Sequence, residues 1–304
     1  TTRVHVQPDT LLRYSQYATT LTATTLKMFG LATLATTAWP AGSGCTSMPA
    51  ANSTTKEEHR VCLPATTPRG ELVLFWGGSG SSPSCCEDFY THATGLGFHV
   101  ISVAYPDSPT VGKACQSKPD SCFLDLRNQR LYDETTGGMP RFASLLDEAV
   151  ATRPESEGWG QFFAGTDHSF NGVAWSKVVT AGHSQGSGMA LLISKRFGVA
   201  GVAQLAGVDD VVQVSPTAGG PAPWIPTPGV TPPERLYGLG NARGFRCQAW
   251  NINWPAPNMS GWADVDKAPP ASGHTRRPHL QDGHTRHGAV LQAANTPRPA
   301  AHDT

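Results

Sequence analysis

Unbroken apolar runs and amphipathic stretches alternate along the middle of the chain. Leu72-Val73-Leu74-Phe75-Trp76 is continuous, as in a strand covered on both faces. The loop Gly77-Gly78-Ser79-Gly80-Ser81-Ser82-Pro83 follows, and Glu87 to Thr94 predicts a helix. Phe98 to Ala104 predicts a second strand, ending at Tyr105-Pro106-Asp107. From Arg141 to Arg153 the period lengthens to that of a helix, with Phe142, Leu145, Leu146 and Val150 on one face. Lys177 to Ala181 predicts a third strand, and Met189 to Phe197 the helix after it. Val199 to Leu205 predicts another strand, running into Gly207-Val208-Asp209-Asp210, and Arg235 to Leu239 a last-but-one strand. Strands that alternate with helices form a mostly parallel central sheet with helices on both faces. The active site of such a fold lies at the carboxyl ends of the strands.

The first sixty residues break this pattern. Thr and Ala dominate residues 1–60, which read as a leader with little order of its own. Lys27-Met28-Phe29 opens an apolar stretch to Trp39, and Pro40-Ala41-Gly42 follows. A basic residue, a short apolar run and small residues resemble a secretory signal, so a secreted or periplasmic location is expected. The run is too short for a stable membrane span. Residues 61–298 form the expected domain and 299–304 a tail.

Charge changes this picture little. The chain of 304 residues has 23 basic and 23 acidic side chains, so no field draws it to nucleic acid. With 32 glycines and 25 prolines it is rich in loops. The seven cysteines, Cys45, Cys62, Cys85, Cys86, Cys115, Cys122 and Cys247, include no C-x-x-C pair, and no histidine cluster has zinc-ligand spacing. Their number favours an oxidising compartment, with about one thiol left over from an odd set, and Cys115 and Cys122 are close enough to staple one loop. Nothing matches a phosphate-cradling loop, so no cofactor is implied.

Chemistry concentrates in Gly182-His183-Ser184-Gln185-Gly186, between the third strand and its helix. A serine on a sharp strand-to-helix turn projects its hydroxyl out of the backbone, and flanking glycines remove the Cβ atoms that would clash there. The helix N-terminus points unpaired N–H groups at the same place. Ser184 is therefore the candidate nucleophile, and the N–H of Gln185 one candidate oxyanion donor.

The order of LVLFWGGSG, HVISVAYPD, VVTAGHSQGSGMA and a late His-Gly resembles the α/β-hydrolases across residues 61–298, most closely secreted bacterial esterase-like serine hydrolases. The resemblance implies an α/β-hydrolase fold and a Ser–His–acid triad. By its pattern the N–H of Ser79, in Gly77-Gly78-Ser79-Gly80, is the second oxyanion donor. The base is a late histidine. His287, ahead of Gly288-Ala289-Val290-Leu291, fits best, and His284 is its rival; His274, His279 and His302 fit less well. His183 packs or hydrogen-bonds beside the nucleophile.

The acid departs from the family pattern. It usually follows the seventh strand, matched here by Arg235 to Leu239, yet no Asp or Glu occurs from Arg235 to Ala263. A minority of the superfamily takes it from the end of the preceding strand, where Asp209 and Asp210 stand. Asp209 is favoured; Asp264 and Asp266 are third choices. The function expected is hydrolysis of carboxylic esters, esterase- or lipase-like, through an acyl-enzyme on Ser184, with small-molecule or polymeric ester substrates. The Pro-rich stretch Pro221 to Pro233, with Trp224, is expected over the site mouth. A chain without an acid would instead be a weakly active or non-catalytic hydrolase-fold binding protein. Oligomeric state is not legible.

Overall fold

The computed structural model describes residues 44–49, 58–215, 218–240, 247–259 and 261–264. The strands are β1 (Cys45–Pro49), β2 (Glu58–Cys62), β3 (Leu72–Trp76), β4 (His99–Val103), β5 (Val178–His183), β6 (Gly201–Leu205), β7 (Val211–Ser215), β8 (Ala218–Pro221), β9 (Leu236–Gly240) and β10 (Gly261–Asp264). The helices are α1 (Glu87–Gly95), α2 (Val111–Ala114), α3 (Cys122–Tyr132), α4 (Gly138–Thr152), α5 (Gln185–Arg196) and α6 (Cys247–Asn253). The main sheet has eight strands in the order β1-β2-β4-β3-β5-β6-β9-β10. β2 runs antiparallel to β1 and to β4, and every other neighbouring pair in that sheet is parallel. This is the α/β-hydrolase fold, with the β7–β8 hairpin inserted between its sixth and seventh strands.

The apolar runs sort themselves by the two-residue period of a strand. Leu72, Leu74 and Trp76 of β3 face a core shared with Phe142 and Leu146 of α4 and Met189 to Ile193 of α5. Val73 and Phe75 face the other way, into a core with Phe89 and Tyr90 of α1 and with Trp250 and Trp254. Both faces of β3 are thereby dry, which is why its sequence is apolar without a break.

Two sequence expectations need correction. The sheet begins at Cys45, inside the stretch read as a leader; β1 pairs along β2 with Cys45 opposite Cys62, and a disulfide joins the two. These two short strands, half polar and without the two-residue period of a strand, are hidden among the Thr-rich residues around them. The second disulfide, Cys115–Cys122, is the expected staple, and it closes onto the start of α3. Cys85 and Cys86 are both thiols, so the single leftover thiol is an undercount. Alkylation of denatured, unreduced protein should label Cys85 and Cys86 and leave Cys45, Cys62, Cys115 and Cys122 unlabelled until reductant is added. Peptide mass mapping that finds label on the latter four before reduction would refute the two pairings.

The fold also carries an acid sensitivity. His59 on β2 is buried, and its Nδ1 accepts a 3.0 Å hydrogen bond from the N–H of Ala104. Burial, and then the nearby Arg141, push this imidazole down to about 4. Burial does the same to His92 on α1. Above about pH 6.5 both states hold these rings neutral. Below it the unfolded chain takes up protons that the folded chain refuses until about pH 4, so stability falls across that window. For His59 the loss is roughly 3 kcal/mol. Glutamine at position 59 keeps an acceptor for Ala104 and does not titrate. His59→Gln should therefore lose less stability than the parent between pH 7 and pH 4.5 in denaturant melts. Equal losses in the two proteins would remove His59 from the account.

Candidate active site

β5 lies between β3 and β6 in the middle of the sheet, and its last residue, His183, is followed directly by Ser184 and then by α5. The turn is tight enough to force Ser184 to φ 53° and ψ −119°, a region that a side-chain-bearing residue rarely occupies. The flanking glycines make it possible. A Cβ on Gly186 would lie 2.1 Å from the Trp76 carbonyl oxygen, and one on Gly182 would lie 2.1 Å from that of Gly186. The helix starts at Gln185, four residues earlier than Met189. Gln185-Gly186-Ser187-Gly188 reads as loop by propensity, but here all four are buried in the first turn of α5.

Three segments converge on this turn. The first is the loop after β3. Gly78 is so close that a Cβ on it would stand 3.3 Å from Cβ of Ser184 and 3.2 Å from Nδ1 of His183. Ser79 follows, and its hydroxyl oxygen is buried with no hydrogen-bond partner among the described residues. Tyr105 Oη donates to the Gly77 carbonyl at 2.8 Å, and Ser81 Oγ donates to that of Gly78 at 2.7 Å. Burial and the neighbouring Asp107 push the Tyr105 hydroxyl well up, so it stays a donor across the working pH range. The loop carrying Ser79 is thus fixed from both sides.

The second segment is the loop after β4. The Gln185 side chain bridges it, accepting from the N–H of Val111 at 2.8 Å and donating to the carbonyl of Asp107 at 2.6 Å. The third segment is residues 206–210, after β6. Ser184 N–H donates to Leu205 O at 2.7 Å, and Gly207 is packed so closely that a Cβ there would lie 2.3 Å from the Ser184 carbonyl oxygen. α6 and the residue after it staple this segment. Asn253 Nδ2 donates to Val208 O at 2.8 Å, Trp254 Nε1 to Gly207 O at 2.6 Å, and Trp250 Nε1 to Asp209 Oδ1 at 3.2 Å. The two tryptophans sit on β9, where Cβ atoms at Gly238 and Gly240 would run into their rings. Sequence reasoning missed α6; the spacing of Trp250 and Trp254, one helical turn apart, was its signal.

The two candidate acids part company here. Asp210 is fully buried and takes a bidentate ion pair from Arg127 on α3, Nε to Oδ2 and Nη2 to Oδ1, each 2.6 Å. Trp224 Nε1 also donates to Oδ2, at 3.0 Å. Both oxygens are therefore engaged at fixed geometry. Asp209 is half-buried, with Trp250 on one oxygen.

The remaining candidates are placed as follows. Asp264 ends β10, opposite Gly240 at the carboxyl edge of the sheet. Asp266, His274, His279, His284, His287 and His302 lie outside the described residues. The Pro-rich stretch does not match its expected place. Residues 225–231 run along the C-terminal end of α5, with Lys195 Nζ donating to the carbonyls of Ile225 and Thr227 and Thr231 N–H to Ser194 O. That is the end of α5 away from Ser184; the start of the stretch reaches towards the elbow through Asp210, whose carbonyl accepts from the N–H of Ala222 and whose carboxylate accepts from Trp224 Nε1. A small cavity of about 160 Å³ lies there, lined by Lys195, Pro226, Pro228 and Pro257 among others. Among the described residues no group of histidine, cysteine and acidic side chains could hold a metal ion, and no helix is long and apolar enough to cross a membrane.

No protein-family model matches the chain, and no curated protein matches its sequence. Solved structures similar to it include a thermophilic, thermostable carboxylesterase cloned from a metagenomic library, at 16% identity over 70% of this chain and 59% of that one, with a TM-score of 0.33. Dienelactone hydrolase from Anabaena variabilis matches at 16% identity over 82% of this chain and 94% of that one, with a TM-score of 0.39. Esterase B from Lactobacillus rhamnosis matches at 12% identity over 87% of each chain, with a TM-score of 0.40. The chain spans less than two thirds of the first of these. Its fold rests on the strand order above.

Proposed function

We propose that the protein is a serine hydrolase that cleaves carboxylic esters through an acyl-enzyme on Ser184. The observation that carries this reading is the strained Ser184 backbone, φ 53° and ψ −119°, between the central strand and a buried helix. Strain of this kind costs about 1–3 kcal/mol and persists where the surrounding structure over-determines it, as at reactive serines. Three further segments converge on the residue, as the chemistry requires.

In this reading Ser184 Oγ attacks the ester carbonyl carbon and passes its proton to the imidazole of His287, with His284 as the rival. The N–H groups of Gln185 and Ser79 receive the oxyanion. As the tetrahedral intermediate collapses, the C–O bond breaks and the alcohol leaves with that proton. Water then attacks the acyl-serine by the same route and releases the acid. Asp209 orients the imidazole, because Asp210 is committed to Arg127 and Trp224. The late histidines follow β10, which delivers the chain to the carboxyl edge of the sheet where Ser184 stands. The two disulfides fit a secreted or periplasmic protein. Small-molecule or polymeric esters are the substrate class.

A fluorophosphonate probe tests the reading. Covalent label mapped by peptide mass to Ser184 is the expected result. Folded protein that takes no label, and hydrolyses no ester across a panel of acyl lengths, would make it a binding scaffold instead.

A further inference from the structure

Gly188 has no part in shaping the elbow, yet its surroundings leave no room for a side chain. A Cβ on it would meet Cζ, Nη1 and Nη2 of Arg127 at 2.2, 2.3 and 2.4 Å. The guanidinium therefore lies flat on the backbone of the first turn of α5. It is fully buried, its far edge is taken by Asp210, and the Trp224 ring covers it at 5.6 Å. The remaining nitrogen, Nη1, donates at 3.0 Å to the carbonyl of Gln185, the residue after the nucleophile. Burial works against a charge here, and Asp210 outweighs it, so Arg127 holds its proton more tightly than usual.

From this arrangement we infer that Arg127 is a positioning residue for the oxyanion hole, holding the Gln185–Gly186 peptide through the Gln185 carbonyl while Asp210 and Trp224 set Arg127. The inference rests on the acyl-enzyme reading above. Gln185 is gripped at two points. Its side-chain amide is tied to the loop after β4, and its carbonyl is tied to α3. The N–H assigned to the oxyanion belongs to the preceding peptide, Ser184–Gln185, which meets both ties at Gln185 Cα. A Gln185 free to turn its backbone about that Cα would aim its N–H less well at the developing charge, while substrate binding would change little. Arg127 reaches the elbow because α3 starts at Cys122, where the disulfide to Cys115 anchors the excursion. Arginine is required rather than lysine. Only a planar fork can give two parallel bonds to Asp210 and still point a third donor at Gln185.

The test uses the full chain. Arg127→Lys keeps the charge opposite Asp210 and loses the planar fork that also reaches the Gln185 carbonyl. The double variant Arg127→Met with Asp210→Leu removes the pair without leaving an orphan charge, an exchange that buried pairs often tolerate. Both are expected to fold and to take the fluorophosphonate label at Ser184, but more slowly than the parent. kcat on an aryl ester should fall on the order of 10²-fold, as for a misplaced catalytic group, with KM within about twofold. The preference for an ester over its thionoester, whose sulfur accepts hydrogen bonds poorly, should shrink in step. A role in stability alone would leave that preference untouched. Parental labelling rate, kcat and thionoester discrimination in either folded variant would overturn the inference and leave the acyl-enzyme reading standing. An unlabelled parent would instead remove that reading.

Discussion

Ser184→Ala is expected to lower ester turnover on the order of 10⁶-fold, the scale seen when a triad serine is removed from a hydrolase. The fold should survive. Alanine keeps the Cβ, and with it the same conformational penalty at φ 53°, so the change in stability should stay within about 0.5 kcal/mol. Ser184→Gly separates strain from chemistry. Glycine adopts this backbone region freely, so Ser184→Gly should be as inactive as Ser184→Ala and yet more stable than the parent by about 1 kcal/mol. A residue kept at a stability cost and needed for turnover is the signature of a functional position. Hydrolysis of a short-chain aryl ester and chemical denaturation, run on all three proteins, give both quantities. Near-parental turnover in Ser184→Ala would sink the nucleophile assignment, whatever the stabilities.

The centre of this fold was legible because its signals are local. An unbroken apolar run such as Leu72 to Trp76 needs two covered faces, and its neighbours in the parallel sheet read the same way. The elbow was legible because a nucleophile on a tight turn needs glycine two residues to either side, and the reason for each glycine is visible in the close approach of Trp76 and Gly186. Cys115 and Cys122 declared their disulfide by spacing alone. The edge of the sheet was not legible. β1 and β2, Cys45-Thr46-Ser47-Met48-Pro49 and Glu58-His59-Arg60-Val61-Cys62, are too short and too polar to show the two-residue period of a strand, and what fixes them is a cross-strand disulfide. The start of α5 was misread because Gly186 and Gly188 look like loop. Each is there to admit a neighbour, the Trp76 carbonyl in one case and the Arg127 guanidinium in the other.

The least legible feature was the difference between Asp209 and Asp210. Two adjacent carboxylates at a strand end look equivalent in sequence. They differ through partners elsewhere in the chain, among them Arg127 and Trp224 for one and Trp250 for the other. No period or spacing connects α3 to the end of β6, so the assignment needs three dimensions. It also turns a narrow preference for Asp209 into a sharp expectation.

Replacing each by asparagine should give opposite outcomes. Asp209→Asn removes the carboxylate proposed to orient the imidazole and stabilise the imidazolium, so kcat should fall roughly 10³–10⁴-fold, as for other acid-to-amide changes in triads. Stability should change little at this half-buried position, where the amide oxygen can still accept from Trp250. Asp210→Asn leaves the buried Arg127 charge without its partner. An uncompensated buried charge costs about 3–5 kcal/mol, a large share of the roughly 5–15 kcal/mol that holds a typical domain folded. The Asp210→Asn protein should therefore melt early or accumulate poorly. What folds should keep a larger share of kcat than Asp209→Asn. Thermal unfolding sorts the two by stability, and turnover per labelled Ser184 sorts them by chemistry, since only folded, probe-reactive molecules are then counted. If Asp209→Asn turns over at the parental rate per labelled serine, Asp209 is not the acid. The residues after β10 would then have to supply one.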